Sequence, residues 1–279
     1  MGNNTETNIS GGDYWDFIDT RSNVKHGEDF WRAYLREVYK VLKARWREES
    51  RCGLTLKTDL YDEAISSYNL ISLFGSDCEQ IIGTDLSFVT ALAAKKRIKA
   101  EWGGEHEFVV SDARKHAFRS NIFDRVISNS TLDHFSDKED IFQSLRELQR
   151  IMKPGGTLMI TLDNPWNPVV FLRNRLPYRW LRSLGLIPFY MGATLSRPEL
   201  IHALEANGFK VCDSTAIVHS PRILAIRLGN ILDRVGHGRT RAYFYRVLKT
   251  FERLEGLPTK YMTGYYVAVK AVKNGLLQM

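Results

Sequence analysis

The fold is decided by the stretch Phe123-Asp124-Arg125-Val126-Ile127-Ser128-Asn129-Ser130-Thr131-Leu132-Asp133-His134-Phe135. Its β-branched pair, Val126 and Ile127, predicts a strand that is covered on both faces. The polar run from Ser128 to Thr131 follows directly, so hydroxyl and amide groups are expected where this strand ends. In an open α/β sheet, ligands bind at the carboxyl ends of the strands. The stretch therefore predicts one strand of such a sheet with a binding site at its tip.

A second unit of the same kind follows immediately. Ser136-Asp137-Lys138-Glu139 has the form of a capping box and predicts the start of a helix. Pro154-Gly155-Gly156 ends that helix, and Thr157 to Leu162 form the next strand, which leads to Asp163 and Asn164. The alternation of strand and helix is typical of a parallel α/β sheet. The apolar residues of the helix recur at helical spacing: Ile141, Phe142, Leu145, Leu148, Ile151 and Met152.

Together these motifs resemble the class I S-adenosylmethionine-dependent methyltransferases over roughly residues 50 to 165. The fourth strand of that family commonly reads FDxVxS, which Phe123 to Ser128 match. The following LRExxRxxKPGGxLxI turn is matched by Leu145 to Ile160. The resemblance implies a Rossmann-like α/β fold, a seven-stranded methyltransferase sheet with helices on both faces. It also implies S-adenosyl-L-methionine as cofactor, S-adenosyl-L-homocysteine as product and no metal.

Three parts of the chain are expected. Residues 1–50 form a polar tail and a helical extension, whose helix from about Glu28 to Arg47 either packs on the edge of the sheet or covers the active site as a lid. Residues 51–164 form the cofactor-binding core. Residues 165–279 add a cap insert, further helices and the strands that complete the sheet. One helix is expected from about Asp62 to Phe74.

Three successive candidate strands end in an acidic residue: Asp59, Asp85 and Asp112. The resemblance assigns Asp85 to the two ribose hydroxyls, and its two carboxylate oxygens suit that diol. The same resemblance assigns Asp112 to the adenine amino group. Helix capping is the alternative for Asp59 and for Asp85. The other candidate cofactor contacts lie beside these strand ends: Thr58, Leu86, Ala113, Asn129 and Ser130.

The first strand departs from the family, because residues 57–64 contain no glycine where a Gly-rich loop is usual. Thr58 or Asp59 is the expected substitute, accepting hydrogen bonds from the ammonium group of the cofactor. A dinucleotide is disfavoured, since a pyrophosphate depends on the missing glycine turn more than the phosphate-free adenosylmethionine does. The departure leaves open a catalytically silent relative that serves as a binding or scaffold protein.

His134 is the first candidate for a catalytic base, since it follows the tip of the fourth strand, and Asp133 is the candidate to orient it. A histidine at a helix entry, exposed to solvent, is the alternative. Asn164 and His219 are candidate substrate contacts. The expected reaction is O- or N-methylation of a small hydrophobic or anionic molecule in biosynthesis, with an RNA methyltransferase as a further alternative.

The composition is that of a soluble globular protein, with 44% hydrophobic and 25% charged residues. No apolar run of membrane-spanning length and no signal peptide occur, so a cytoplasmic protein is expected. The three cysteines are scattered along the chain, and each is predicted to be a small buried residue: Cys52, Cys78 and Cys212. The net charge of +7 permits an anionic partner, but no block of basic residues favours nucleic acid. The basic, aromatic segment 169–186 is either a packed cap or a peripheral membrane contact.

Overall fold

The computed structural model of the chain describes residues 15–16, 29–47, 52–103, 106–183, 192–235 and 238–275. It contains seven strands in one sheet. They are β1 (Cys52–Thr58), β2 (Cys78–Asp85), β3 (Glu107–Val110), β4 (Phe123–Asn129), β5 (Met152–Asp163), β6 (Phe209–Ile217) and β7 (Tyr266–Lys273).

The helices lie between these strands and before the first one. They are α1 (Asp29–Arg45), α2 (Tyr61–Ile65), α3 (Ile71–Phe74), α4 (Phe88–Trp102), α5 (Lys138–Ile151), α6 (Pro168–Arg175), α7 (Tyr178–Ser183), α8 (Arg197–Ala206), α9 (Arg222–Val235), α10 (Gly238–Phe251) and α11 (Lys260–Thr263). None of these described helices is long and apolar enough to cross a membrane.

The strand order is β3-β2-β1-β4-β5-β7-β6. The first five strands of this order pair in parallel, whereas β7 runs antiparallel between β5 and β6. Because β1 pairs with both β2 and β4, the order reverses at β1, and a crevice opens at the carboxyl ends beside it. The predicted seven-stranded Rossmann-like sheet is confirmed.

Both faces of the sheet are buried, as the sequence of β4 predicts. Val126 belongs to a core cluster beneath α5 and α8, while its neighbour Ile127 belongs to the cluster beneath α1. Both side chains are buried, which stabilises the fold by about 1.5–3 kcal/mol each.

The N-terminal helix α1 covers a face of the sheet rather than its edge. Its residue Val38 shares a buried cluster with Ile127 of β4 and Met159 of β5, both on central strands. Tyr39 adds a hydrogen bond of 3.0 Å between its hydroxyl and Thr161 Oγ1. The expectation that this helix packs on the sheet edge is therefore wrong.

The single helix expected from Asp62 to Phe74 is two short helices, α2 and α3. Between them the backbone of Ser66 is extended. Glu63 Oε1 then accepts hydrogen bonds from the backbone N–H groups of Leu70 (3.0 Å) and Ile71 (3.2 Å). A buried carboxylate thus replaces the helical partners that these two amides would otherwise need.

The predicted capping box at Ser136 is wrong, because the cap of α5 is Asp137, whose carboxylate accepts from the N–H of Asp140 at 3.0 Å. A capping box is present at the start of α8, where Glu199 accepts from both the backbone N–H and the hydroxyl of Ser196. Two of the cysteines are buried as expected, whereas Cys212 is exposed.

Candidate active site

A cleft of about 900 Å³, including space open to solvent, lies at the carboxyl ends of β1, β2 and β3. Its walls also include residues that follow β4, so it occupies the crevice where the strand order reverses. The lining residues are Trp15, Thr58, Asp59, Tyr61, Thr84, Asp85, Leu86, Thr90, Ser111, Asp112, Ala113, Thr131, His134 and Phe135.

The turn after β1 adopts a glycine-like conformation without glycine. Asp59 has a φ of 64°, in the left-handed region that side chains other than those of Asn and Asp rarely enter. Its Oδ1 accepts from the N–H of Tyr61 at 2.9 Å, which fixes the turn locally. Burial and the negative charge of Asp85 raise the pKa of Asp59 well above its ordinary value. The turn therefore presents a carboxyl group, rather than bare backbone, to the cleft.

A buried ion pair supports this turn from below. Lys57 Nζ lies 2.9 Å from Glu63 Oε2, and both side chains are almost completely buried. The same ammonium group donates to the backbone carbonyls of Thr58 and Asp59. Although burial opposes its charge, the carboxylates of Glu63 and Asp59 raise the pKa of Lys57. Sequence reasoning missed this pair, although a lysine inside a buried strand was the available signal.

The carboxylate of Asp85 joins the turns after β1 and β2. Oδ2 accepts from the N–H of Leu60 and Oδ1 from the N–H of Ser87, each at 2.8 Å. The cap of α4 is Ser87, whose Oγ accepts from the N–H of Thr90. Asp85 lines the cleft together with Leu86, and each of its carboxylate oxygens has two acceptor sites.

At the end of β3, Asp112 lines the cleft and is paired with an arginine side chain. Arg114 holds it bidentately, with Nε at 3.0 Å from Oδ1 and Nη2 at 2.7 Å from Oδ2. Although burial acts in the opposite direction, these hydrogen bonds lower the pKa of Asp112. A ligand amino group would share the carboxylate with Arg114, a partner that sequence reasoning missed. Ala113 lines the same wall.

Trp15 and Asp16 lie at the cleft. The Trp15 ring meets the ring of His134 edge to face, with centroids 5.2 Å apart. Asp16 Oδ1 accepts a hydrogen bond from Ser87 Oγ at 2.6 Å. Trp15 was not among the predicted site residues, and only the aromatic cluster Tyr14-Trp15-Asp16-Phe17 signalled an ordered element there.

Asp133 does not hold His134 in the described part of the chain. It is buried, and its Oδ2 accepts from Ser130 Oγ at 2.8 Å and from the N–H of Asp163 at 2.9 Å, while Oδ1 has no hydrogen-bond partner. Burial and the charge of Asp163 raise the pKa of Asp133. Among these described residues the expected orienting hydrogen bond is absent, and only an electrostatic effect of His134, which lowers the pKa of Asp133, connects the two side chains. Asn129 and Ser130 also lie outside the cleft lining.

The two candidate substrate contacts serve the fold instead. Asn164 is fully buried, and its amide donates to the backbone carbonyls of Tyr261 and Gly264. Both ring nitrogens of His219 are engaged, Nδ1 with Thr263 Oγ1 at 2.7 Å and Nε2 with the carbonyl of Ala216 at 3.0 Å. These bonds join the ends of β5 and β6 to the approach to β7, and neither residue lines the cleft.

Two arginines contact the same tyrosine beside the carboxyl end of β5. Arg173 of α6 is paired with Asp163 and lies 3.2 Å from the hydroxyl of Tyr265. The guanidinium carbon of Arg222, from α9, lies 4.6 Å from the centroid of the same tyrosine ring. The helices inserted after β5 and β6 are thus neighbours, at the same end of the sheet as the cleft.

Comparisons with known proteins relate the chain to methyltransferases. A family model described as a methyltransferase domain matches residues 66–160. The ubiquinone/menaquinone biosynthesis C-methyltransferase UbiE of Hahella chejuensis is 39% identical over 70 residues, 25% of this chain and 27% of the relative. The tRNA (carboxymethyluridine(34)-5-O)-methyltransferase of Arabidopsis thaliana is 26% identical over 143 residues, 50% of this chain and 35% of the relative.

Among solved structures, phosphoethanolamine N-methyltransferase 2 of Haemonchus contortus, determined with S-adenosylhomocysteine, aligns with a TM-score of 0.55 and 18% identity. The alignment covers 93% of this chain and 59% of that protein. At this identity the likeness concerns the fold alone. The chain spans about a quarter to a third of the length of the two sequence relatives, so their acceptors are not carried over.

Proposed function

We propose, on the premise that this chain belongs to the class I S-adenosylmethionine-dependent methyltransferases, that it transfers the methyl group of S-adenosyl-L-methionine to a small hydrophobic or anionic acceptor. The observation that carries the proposal is the convergence of Asp59, Asp85 and Asp112 on one cleft at the strand ends. Three carboxyl groups suit a ligand with an ammonium group, a ribose diol and an adenine amino group.

The residues around the cleft fit this cofactor despite the missing glycines. The turn at Asp59 already has the left-handed backbone that a glycine would supply, and Lys57 holds its carbonyls. In the proposal, Asp59 with Thr58 accepts from the ammonium group and Asp85 from the ribose hydroxyls. Asp112 accepts from the adenine amino group. When bound, the cofactor supplies a methyl group already activated by its sulfonium.

The remaining task of the protein is alignment of the acceptor and removal of its proton. We assign the base to His134, which lines the cleft beside Thr131 and Phe135. Trp15 covers the ring edge to face and narrows its access to water. An oxygen or nitrogen acceptor that loses a proton fits this arrangement. A biosynthetic small molecule fits a cleft whose lining includes the aromatic side chains of Trp15, Tyr61 and Phe135.

Two rival functions lead to different observations. A silent binding protein would leave the cleft without affinity for adenosylmethionine. An RNA methyltransferase, which the Arabidopsis relative suggests, would bind RNA with an affinity that falls steeply with salt.

The test is calorimetric titration of the purified protein with S-adenosylmethionine and, separately, S-adenosylhomocysteine. Micromolar binding of both is expected. Asp85→Asn keeps an acceptor for one backbone amide and is expected to weaken binding roughly tenfold to a hundredfold, the worth of a charge-assisted hydrogen bond. Glu79→Gln, at the exposed opposite end of the same strand, is the matched control. Absence of binding by the wild type would favour the silent rival.

A further inference from the structure

The insert after β5 exposes a row of large apolar side chains. Trp180 is 65% exposed and Leu172 is 57% exposed, although both belong to ordered helices, α7 and α6. Single exposed apolar residues are common on protein surfaces, whereas several large ones close together in the chain suggest a contact site. We call this group the cap surface. It consists of Trp166, Val169, Phe171, Leu172, Leu176 and Trp180, each more than a third exposed.

The cap surface lies in a segment of one charge. No Asp or Glu occurs from residue 164 to residue 198, whereas this segment contains five arginines. Arg175 on the same surface is exposed, and its guanidinium carbon lies 3.7 Å from the centroid of the Phe171 ring. The five arginines are Arg173, Arg175, Arg179, Arg182 and Arg197.

The opposite side of α6 is anchored to the sheet. Asn167 caps the helix through the N–H groups of Val169 and Val170, and the Val170 side chain is fully buried. Arg173 is paired with Asp163 at the end of β5. The outward-facing apolar residues therefore belong to a helix that is anchored to the sheet at the carboxyl end of β5.

The start of α9 lies near the anchored side of α6. Arg222 and Arg173 both contact Tyr265, so α9 begins beside α6. Its second and third residues, Ile223 and Leu224, are 37% and 53% exposed. Two inserted elements thus expose apolar side chains at one end of the molecule.

We propose that the cap surface docks on an anionic lipid bilayer, with its aromatic and aliphatic side chains in the headgroup region and the exposed Arg175 and Arg179 on lipid phosphates. Charge complementarity supports this partner, because the negative surface potential of an anionic bilayer attracts arginine side chains. Exposed Trp and Phe suit the interface. A nucleic acid would use the arginines but not Leu172 or Leu176. The docking is independent of methyl transfer, although it would place the cleft beside lipid-soluble acceptors.

The test is sedimentation of the full chain with vesicles of phosphatidylcholine alone and of phosphatidylcholine mixed with phosphatidylglycerol. We expect partition into the anionic vesicles only, weakened by high salt. Leu172→Glu and Trp180→Ser are each expected to reduce it about tenfold. Tyr243→Ser, which removes a 69% exposed aromatic side chain on α10, is the matched control. Unchanged circular dichroism and adenosylmethionine affinity would show that the variants fold.

Three outcomes would overturn the proposal. The wild type fails to sediment with anionic vesicles, or Leu172→Glu and Trp180→Ser sediment as the wild type does. In the third, Arg175→Gln abolishes binding to a structured RNA while Leu172→Glu leaves that binding intact, which assigns the surface to nucleic acid. If the wild type does not bind adenosylmethionine, the proposed function is refuted, and vesicle binding stands as a separate result.

Discussion

Lys57 and Glu63 form a buried ion pair, 2.9 Å between Nζ and Oε2, directly beneath the turn that carries Asp59. Replacing one partner of a buried pair leaves an uncompensated charge. Lys57→Met is therefore expected to lower the free energy of unfolding by about 3–5 kcal/mol, measured by urea denaturation. Glu63→Gln added to Lys57→Met removes that charge and keeps an acceptor for the amides of Leu70 and Ile71, so part of the loss is recovered.

Lys40→Met is the control for this pair, because the Lys40 side chain is 62% exposed and its substitution is expected to change stability by less than about 0.5 kcal/mol. A loss for Lys57→Met no larger than that of Lys40→Met would mean that the pair does not stabilise the fold. No recovery in the double variant would mean that Lys57 acts through its carbonyl contacts alone.

Affinity for the cofactor is expected to rise with pH through Asp59. Burial and Asp85 raise the pKa of this carboxyl group well above the usual value of about 4, and a cationic ligand favours its ionised form. The folded protein holds the proton more tightly than the unfolded chain. The ligand-free protein therefore loses stability as the pH rises from about 4 to the raised pKa, while affinity for adenosylmethionine increases over the same range.

Calorimetric titration across this pH range measures the effect. Asp59→Asn keeps the acceptor for the N–H of Tyr61 and tolerates a positive φ, so the expected result is a weaker affinity that no longer depends on pH in this window. Asp77→Asn, outside the cleft and paired with Lys43, is expected to retain the wild-type slope. An unchanged slope in Asp59→Asn would assign the pH dependence to another group.

The fold was predictable because its signals are local. Val126 and Ile127 follow the strand pattern, and Pro154 is unsuited to continue a helix, although α5 already ends at Ile151 and β5 begins at Met152, before the predicted Thr157. The position of Asp85 was predictable for the same reason, since the last residue of a parallel strand lies at the carboxyl end of the sheet.

The remaining features depend on contacts that are distant in sequence. Arg173 reaches Asp163 and Tyr265 from an insert whose position no periodicity defines. Trp15 contacts His134 although the two residues are far apart in sequence. Propensity and spacing contain no information on such pairs. The sequence therefore predicted the residues at the strand ends of the site but not the contacts of Trp15 and Arg173.

The cap of α5 provides a stability test of one corrected prediction. Asp137→Ala is expected to lower the free energy of unfolding by about 1 kcal/mol, because the N–H of Asp140 loses its acceptor. Ser136→Ala, one residue earlier and exposed, is expected to change it by less than about 0.5 kcal/mol. Thermal or urea unfolding measures both. The reverse order of effects would restore Ser136 as the cap.

His134 is expected to act on turnover and not on cofactor affinity. If it removes the acceptor proton, His134→Ala lowers methyl transfer about a hundredfold or more, because no other group in the described cleft contributes an imidazole. The measurement follows tritium from methyl-labelled adenosylmethionine into an organic extract of small molecules, with adenosylmethionine affinity measured in parallel. His202→Ala, exposed on α8, is the control and is expected to match the wild type. Equal turnover in His134→Ala and His202→Ala would exclude His134 as the base and leave the methyl transfer itself to be explained by alignment alone.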